Sequence, residues 1–176
     1  MYRIKELLQV DRKSYHTNDL AVLWKISNRR TLYMTISRSI ARGVLYPIFK
    51  GLYATVPVER LDPLILGRAI IHRYTYLTTE TVLATAGVIS QTVYDYTFVA
   101  DISKCVSVGP WSFRYRQLKN EYLFHPAGVE EKNEIFTATV ERAAADMLYF
   151  NPKYHFDVPG LLDQNKLQTI KHEIGY

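Results

Sequence analysis

The chain has 176 residues, 48% of them hydrophobic, and a single cysteine. This length suits one or two small domains, and one cysteine excludes an internal disulfide framework and a cysteine-based zinc cluster. Residues 1–56 contain ten Lys and Arg against three Asp and Glu, whereas residues 57–176 contain twelve against fourteen. All of the excess positive charge therefore lies in the N-terminal third, where we expect a polyanionic partner.

Two short helices are predicted at the beginning of the chain. Apolar residues spaced three and four apart predict a helix over residues 2–9. The polar residues 11–14 predict a loop. A second helix is predicted to begin at Thr17, a favourable N-cap, with Asp19 in the first turn, where the helix dipole favours a carboxylate.

A third helix is predicted over residues 28–42, with Gly43 as its C-terminal cap. Leu32, Ile36 and Ile40 recur at every fourth position, so they are predicted to pack on the first two helices. The opposite side carries four arginines and no acidic residue. Arginine can bind guanine O6 and N7, and a Tyr or Met side chain can contact a thymine methyl group.

We therefore predict that the third helix enters the major groove of DNA. The residues predicted to contact DNA from this helix are Asn28, Arg29, Arg30, Thr31, Tyr33, Met34, Ser37, Arg38 and Arg42. The alternative is a helix that is rich in arginine only because it faces solvent.

A β-hairpin is predicted after the third helix. Residues 44–49 and 52–56 are rich in β-branched and aromatic types, and Gly51 between them can adopt the positive φ of a tight turn. Pro47 predicts an exposed edge strand, because proline has no backbone N–H to donate. Lys50, at the tip, is the last residue predicted to contact DNA, through a phosphate.

The order of helix, turn, helix and hairpin predicts a winged helix-turn-helix over residues 1–56. Residues 57–176 are predicted to form a second domain of mixed helices and strands, so the expected fold class is α+β. The boundary falls between Pro57 and Pro63, where a new helix opens at Glu59.

In the second domain, predicted helices cover residues 81–86, 139–148 and 164–173, and predicted strands cover residues 92–99 and 104–108.

One further segment of the second domain alternates strictly between aromatic and polar residues. In residues 111–116, Trp111, Phe113 and Tyr115 alternate with Ser112, Arg114 and Arg116. One interpretation is a half-buried strand with a wet face. The other is a second basic surface formed by Arg114 and Arg116.

Nothing in the sequence predicts a membrane segment or a catalytic motif. No apolar run approaches the roughly 20 residues of a membrane-spanning helix, and the charged start does not fit a signal peptide. The five histidines are scattered, and no HExxH, CxxC, Walker or GxGxxG motif occurs. We expect a cytoplasmic protein without a metal, cofactor or enzyme activity, although a dispersed triad in a C-terminal pocket stays open as an alternative.

A series of short motifs runs through residues 10–152. They are Thr17-Asn18-Asp19-Leu20-Ala21, Ser27 to Arg30, Arg42-Gly43-Val44-Leu45, Lys50-Gly51-Leu52-Tyr53-Ala54, Tyr76-Leu77-Thr78-Thr79-Glu80-Thr81-Val82-Leu83, Gly87, Phe113-Arg114-Tyr115-Arg116 and Thr139-Val140-Glu141-Arg142-Ala143. In this order and spacing the chain resembles the AbiEi-type antitoxins, the regulatory half of type IV toxin–antitoxin pairs involved in abortive infection.

The resemblance implies a winged helix that binds operator inverted repeats in double-stranded DNA and represses its own operon. It implies a C-terminal domain that carries the antitoxin activity, and an AbiEii-like nucleotidyltransferase toxin as the functional partner. Such antitoxins differ in whether they touch the toxin, so direct contact stays open. The alternatives are a winged-helix module that binds protein and a generic transcriptional regulator without a toxin.

Overall fold

The computed structural model describes residues 6, 7, 10 and 12–176 and has the mixed α+β fold that the sequence predicts. The chain divides into two compact units: residues 1–62 with 108–110, and residues 63–107 with 111–176. The helix predicted over residues 2–9 lies mostly outside the described residues, although Glu6 and Leu7 are helical.

Within residues 12–56, the first unit contains two α-helices and a three-stranded antiparallel sheet. Its elements are β1 (Ser14–His16), α1 (Thr17–Leu23), α2 (Arg29–Ala41), β2 (Tyr46–Phe49) and β3 (Leu52–Ala54). The strand order β1-β3-β2 makes β2 an edge strand, as Pro47 predicts. The strand β1 was not predicted, and Ser14 was wrongly assigned to a loop.

The start of α1 differs by one residue from the prediction. Its N-cap is His16, not Thr17, because β1 runs directly into the helix. The backbone N–H of His16 donates to Asp19 Oδ2 at 2.9 Å, so the acidic residue of the first turn helps to cap the helix. The backbone N–H and the hydroxyl of Thr17 both donate to the carbonyl oxygen of Gly51, at 2.9 and 3.2 Å. These two bonds fix the hairpin turn against the start of α1.

The bounds of α2 agree with the prediction to within one residue. Asn28 is the N-cap, and its side chain accepts a backbone N–H of the first turn at 3.1 Å. Gly43, just beyond the helix, has a φ of 68°, the left-handed conformation that is typical of a glycine after the end of a helix. Leu32 and Ile36 are buried and Ile40 is half-buried. The core they join includes Leu7, Tyr15, Leu20, Trp24, Ile26 and Leu45.

A six-stranded mixed sheet organises the second unit. Its strands are β4 (Tyr76–Leu77), β5 (Asp95–Ala100), β6 (Lys104–Val108), β7 (Trp111–Gln117), β8 (Val129–Lys132) and β9 (Ile135–Ala138). They lie in the order β6-β7-β5-β4-β9-β8. β5 pairs parallel with β7, and β4 pairs parallel with β9 but antiparallel with β5.

Five helices accompany this sheet in the part of the chain that the structure describes. They are α3 (Pro63–Ile71), α4 (Glu80–Thr85), α5 (Asn120–Leu123), α6 (Val140–Phe150) and α7 (Gln164–Ile174). The helix predicted to open at Glu59 begins later, because residues 58–60 form a separate 3-10 turn and Pro63 starts α3. Gly67 lets α3 approach the sheet closely: a Cβ there would lie 2.5 Å from Phe98 Cε2.

A fully buried ion pair lies at the centre of the second unit. Arg142 and Asp146 of α6, one turn apart, are both 0% exposed, and Arg142 Nε donates to Asp146 Oδ1 at 2.9 Å. The four remaining guanidinium N–H groups donate to the Tyr76 hydroxyl at 2.7 Å and to the carbonyl oxygens of Tyr122, His125 and Ala127 at 2.9, 3.3 and 2.8 Å. All five donors of the guanidinium are therefore used.

Three hydroxyl groups complete the environment of Asp146. Oδ2 accepts from Thr78 at 2.7 Å and from Tyr76 at 3.0 Å, and Oδ1 accepts from Tyr176 at 2.6 Å. Burial raises the pKa of Tyr76 and of Tyr176, so both hydroxyls stay protonated and can donate. We call Arg142, Asp146, Tyr76, Thr78 and Tyr176 the Arg142 network; its polar groups are satisfied within the protein.

Candidate nucleic-acid interface

The residues that the sequence predicts to contact DNA all lie at the surface. All ten of these predicted contact residues are exposed: Asn28, Arg29, Arg30, Thr31, Tyr33, Met34, Ser37, Arg38, Arg42 and Lys50. The core of the first unit uses only the opposite side of α2. The predicted contact residues are therefore all accessible to a ligand.

The period of the helix arranges these side chains into a broad face. At 3.6 residues per turn, Arg30, Met34 and Ser37 form a row on the side of α2 opposite the buried Leu32 and Ile36. Thr31, Arg38 and Arg42 lie along one edge of that row, and Tyr33 lies along the other. We call these residues, together with Arg29, the α2 face.

The α2 face carries positive charge that no acid of its own helix offsets. Between Asp19 and Glu59 the sequence contains six Lys and Arg and no Asp or Glu. Within the described residues, none of the four arginines of the α2 face forms an ion pair, whereas Arg12 pairs with Asp19 at 3.1 Å. The guanidinium groups of the α2 face are therefore free to bind an anion.

The first turn of α2 places charge where the helix dipole disfavours it. Arg29 and Arg30 are the first two helical residues, and the first turn contains no acidic residue. Four other helices carry an acidic residue in the first turn, namely Asp19 in α1, Glu80 in α4, Glu121 in α5 and Glu141 in α6, whereas α3 and α7 carry none. A cation at a helix N-terminus costs about 0.3–1 kcal/mol. Local electrostatics thus oppose this arrangement in the free protein, which is typical of residues kept for a ligand.

Two polar residues of the predicted contact set also hold the start of the helix. The side-chain oxygen of Asn28 accepts from the backbone N–H and from the hydroxyl of Thr31, at 3.1 and 3.4 Å. The amide NH₂ of Asn28 is therefore available to a ligand.

Lys50 lies at the hairpin turn, where Gly51 has a φ of 75°.

Arg114 and Arg116 do not provide a second free basic surface. Arg114 pairs with Asp95 at 2.8 Å, and its hydrogen bond holds the pKa of that carboxyl below the ordinary value. Arg116 forms an ion pair with Glu80 and lies 5.2 Å over the ring of Phe150. Both charges are paired with acids, which favours the interpretation of a half-buried strand with a wet face over that of a second basic surface.

The second unit has a shallow cleft of roughly 220 Å³. It is lined by Glu80, Gln91, Thr92, Val93, Tyr94, Asp95, Thr97 and Arg114. Its charged side chains are those already engaged in the ion pairs of β7. Across the described residues, no three His, Cys, Asp or Glu side chains are grouped to hold a metal ion.

Two comparisons with known proteins find no match. No protein-family model matches the chain, and no curated protein matches it significantly. The functional assignment therefore rests on the geometry and charge of the α2 face and on the motifs of the sequence.

In the described part of the chain, every helix is too short or too polar to span a bilayer.

Proposed function

We propose that the first unit is a winged helix-turn-helix that binds double-stranded DNA sequence-specifically, with α2 in the major groove. The observation that carries this proposal is the exposed, acid-free arginine surface of the α2 face. The first turn of α2 contains Arg29 and Arg30 but no acidic residue. The phosphates that line a DNA groove would supply the negative charge that offsets these two arginines.

The topology of the first unit supports the same proposal. β1 precedes α1 and joins the β2–β3 hairpin in one antiparallel sheet, an arrangement that is compatible with the hairpin acting as a wing. The bonds from Thr17 to Gly51 fix the turn that carries Lys50. A wing held in this way can place Lys50 on the phosphate backbone while α2 reads base edges.

The affinity of the intact protein for the promoter DNA upstream of its gene is expected to fall as salt rises. Each phosphate contact contributes about −0.9 to the slope of log K against log salt concentration. Lys50→Gln is expected to make the slope less negative by about 1. Fluorescence anisotropy titrations at several salt concentrations measure both effects.

The matched control is Lys153→Gln, an exposed lysine of the second unit, which is expected to leave the slope unchanged. An affinity that is independent of salt would refute DNA binding. It would favour the alternative, a module that binds protein.

We further propose that the protein represses its own operon as the antitoxin of a type IV toxin–antitoxin pair. The support is the series of motifs that resemble AbiEi-type antitoxins. Two of them, residues 76–83 and 139–143, meet in the Arg142 network, where Tyr76, Thr78 and Arg142 bond to Asp146. These motifs would then define the scaffold of the antitoxin domain.

The antitoxin proposal requires a nucleotidyltransferase gene beside the gene of this protein, and expression of the full chain is expected to restore growth to cells that express that nucleotidyltransferase. The growth rate with and without the chain is the measurement. A catalytically inactivated nucleotidyltransferase is the control, since it should not slow growth. A toxic nucleotidyltransferase that the chain does not counteract would contradict the antitoxin proposal but not the DNA-binding proposal.

A further inference from the structure

We infer that Tyr33 and Met34 contact thymine methyl groups, so that the preferred operator has a thymine close to the guanine that Arg30 binds. This inference rests on the proposed DNA-binding function and specifies the base sequence that the site selects.

The inference begins from two large apolar side chains in a polar surface. Tyr33 is 54% exposed and Met34 is 48% exposed, although the rest of the α2 face consists of arginine, serine and threonine. Leu32 and Ile36 already supply the buried contacts of the helix. Tyr33 and Met34 therefore leave apolar surface in water that the fold does not use.

Their spacing places both side chains next to Arg30. Residues three and four positions apart on a helix have Cβ atoms about 5–6 Å apart. Bases in one strand of B-DNA are about 3.4 Å apart along the axis. A side chain at position 33 or 34 therefore reaches a base one or two steps from the base that Arg30 contacts.

Thymine is the base whose chemistry fits an apolar side chain in the major groove. It presents a C5-methyl group there, whereas guanine presents the O6 and N7 acceptors that suit Arg30. The flexible thioether of Met34 can adapt its shape to the methyl group. The α2 face therefore favours a guanine with a thymine one or two steps away.

Selection from a random pool of DNA duplexes with the intact protein identifies the preferred site. Each thymine of that site is then replaced by uracil, which lacks only the methyl group. At one or two positions the affinity is expected to fall about fourfold, the size expected for one buried methyl group. The same replacements are expected to have no effect on the Tyr33→Ala/Met34→Ala variant.

Tyr94→Ala is the control, because Tyr94 is 83% exposed and lies in the second unit. This variant is expected to keep the sensitivity to uracil. If uracil at every thymine leaves the affinity unchanged, or if the double variant stays sensitive, the inference is wrong while DNA binding stands. If no duplex is enriched, the proposed function fails as well.

Discussion

Replacement of Arg142 by methionine is expected to lower the free energy of unfolding by about 3–5 kcal/mol. The change removes the ionic partner of Asp146, which is 0% exposed, so its carboxylate must either stay charged in a buried site or take up a proton. It also removes the donors that bond to the carbonyl oxygens of Tyr122, His125 and Ala127. Buried polar groups without partners are among the largest causes of destabilisation by single substitutions.

Urea denaturation followed by circular dichroism measures this loss. Arg114→Met is the control, because Arg114 pairs with Asp95 at an exposed site and such pairs contribute about 0–1 kcal/mol. Arg142→Lys is also expected to be less stable than the native protein, since one ammonium group cannot replace the five planar donors of the guanidinium.

If Arg142→Met does not fold, the double variant Arg142→Met/Asp146→Leu still tests the assignment. Removing both charges is expected to recover only the part of the loss that comes from the uncompensated Asp146 carboxyl, because the backbone carbonyls and the hydroxyl groups of the network stay without partners. Equal losses for Arg142→Met and Arg114→Met would show that the Arg142 network is not critical.

The variant Arg29→Glu/Arg30→Glu is expected to bind operator DNA about 100-fold more weakly or worse, because it removes two base or phosphate contacts and adds repulsion. The same change is expected to raise the free energy of unfolding by about 1–2 kcal/mol, because it places acids at the helix N-terminus. Loss of binding with a gain in stability separates a ligand contact from a structural role.

Arg38→Glu supplies the matched control within the same helix. Arg38 lies in the last turn of α2, where the dipole favours a cation. Its replacement is expected to weaken DNA binding too, but to lower the melting temperature. Thermal melting and anisotropy titration of the same samples give both quantities. Unchanged DNA affinity in the Arg29→Glu/Arg30→Glu variant would remove the α2 face from the interface.

The sequence predicted α2 well because its limits depend on local chemistry. Asn28 caps the first turn, Gly43 provides the left-handed residue after the end, and Leu32 and Ile36 mark the buried side. The exposure of the α2 face follows from the same period. The strand β1 was missed because three residues are too few for alternation to be visible, and only its pairing with β3 defines it.

The interactions of the second unit could not be predicted because their partners are distant in sequence. The alternation of residues 111–116 correctly predicts a strand with Phe113 and Tyr115 buried. It contains no information on Asp95 and Glu80, which neutralise its arginines from other elements. The pairing of β4 with β9 and the Arg142 network likewise join segments that no local pattern connects.

The span of the Arg142 network also sets an order of folding during synthesis. The bonds from Tyr76 and Thr78 to Asp146 join residues separated by 70 and 68 positions, and Tyr176 adds the last donor. Contacts between distant residues form slowly because a long loop must close first. The sheet and helices within residues 14–54 can assemble on the ribosome while the second unit still lacks Arg142, Asp146 and Tyr176. A stalled or truncated chain would thus present the arginine helix without the closed C-terminal unit.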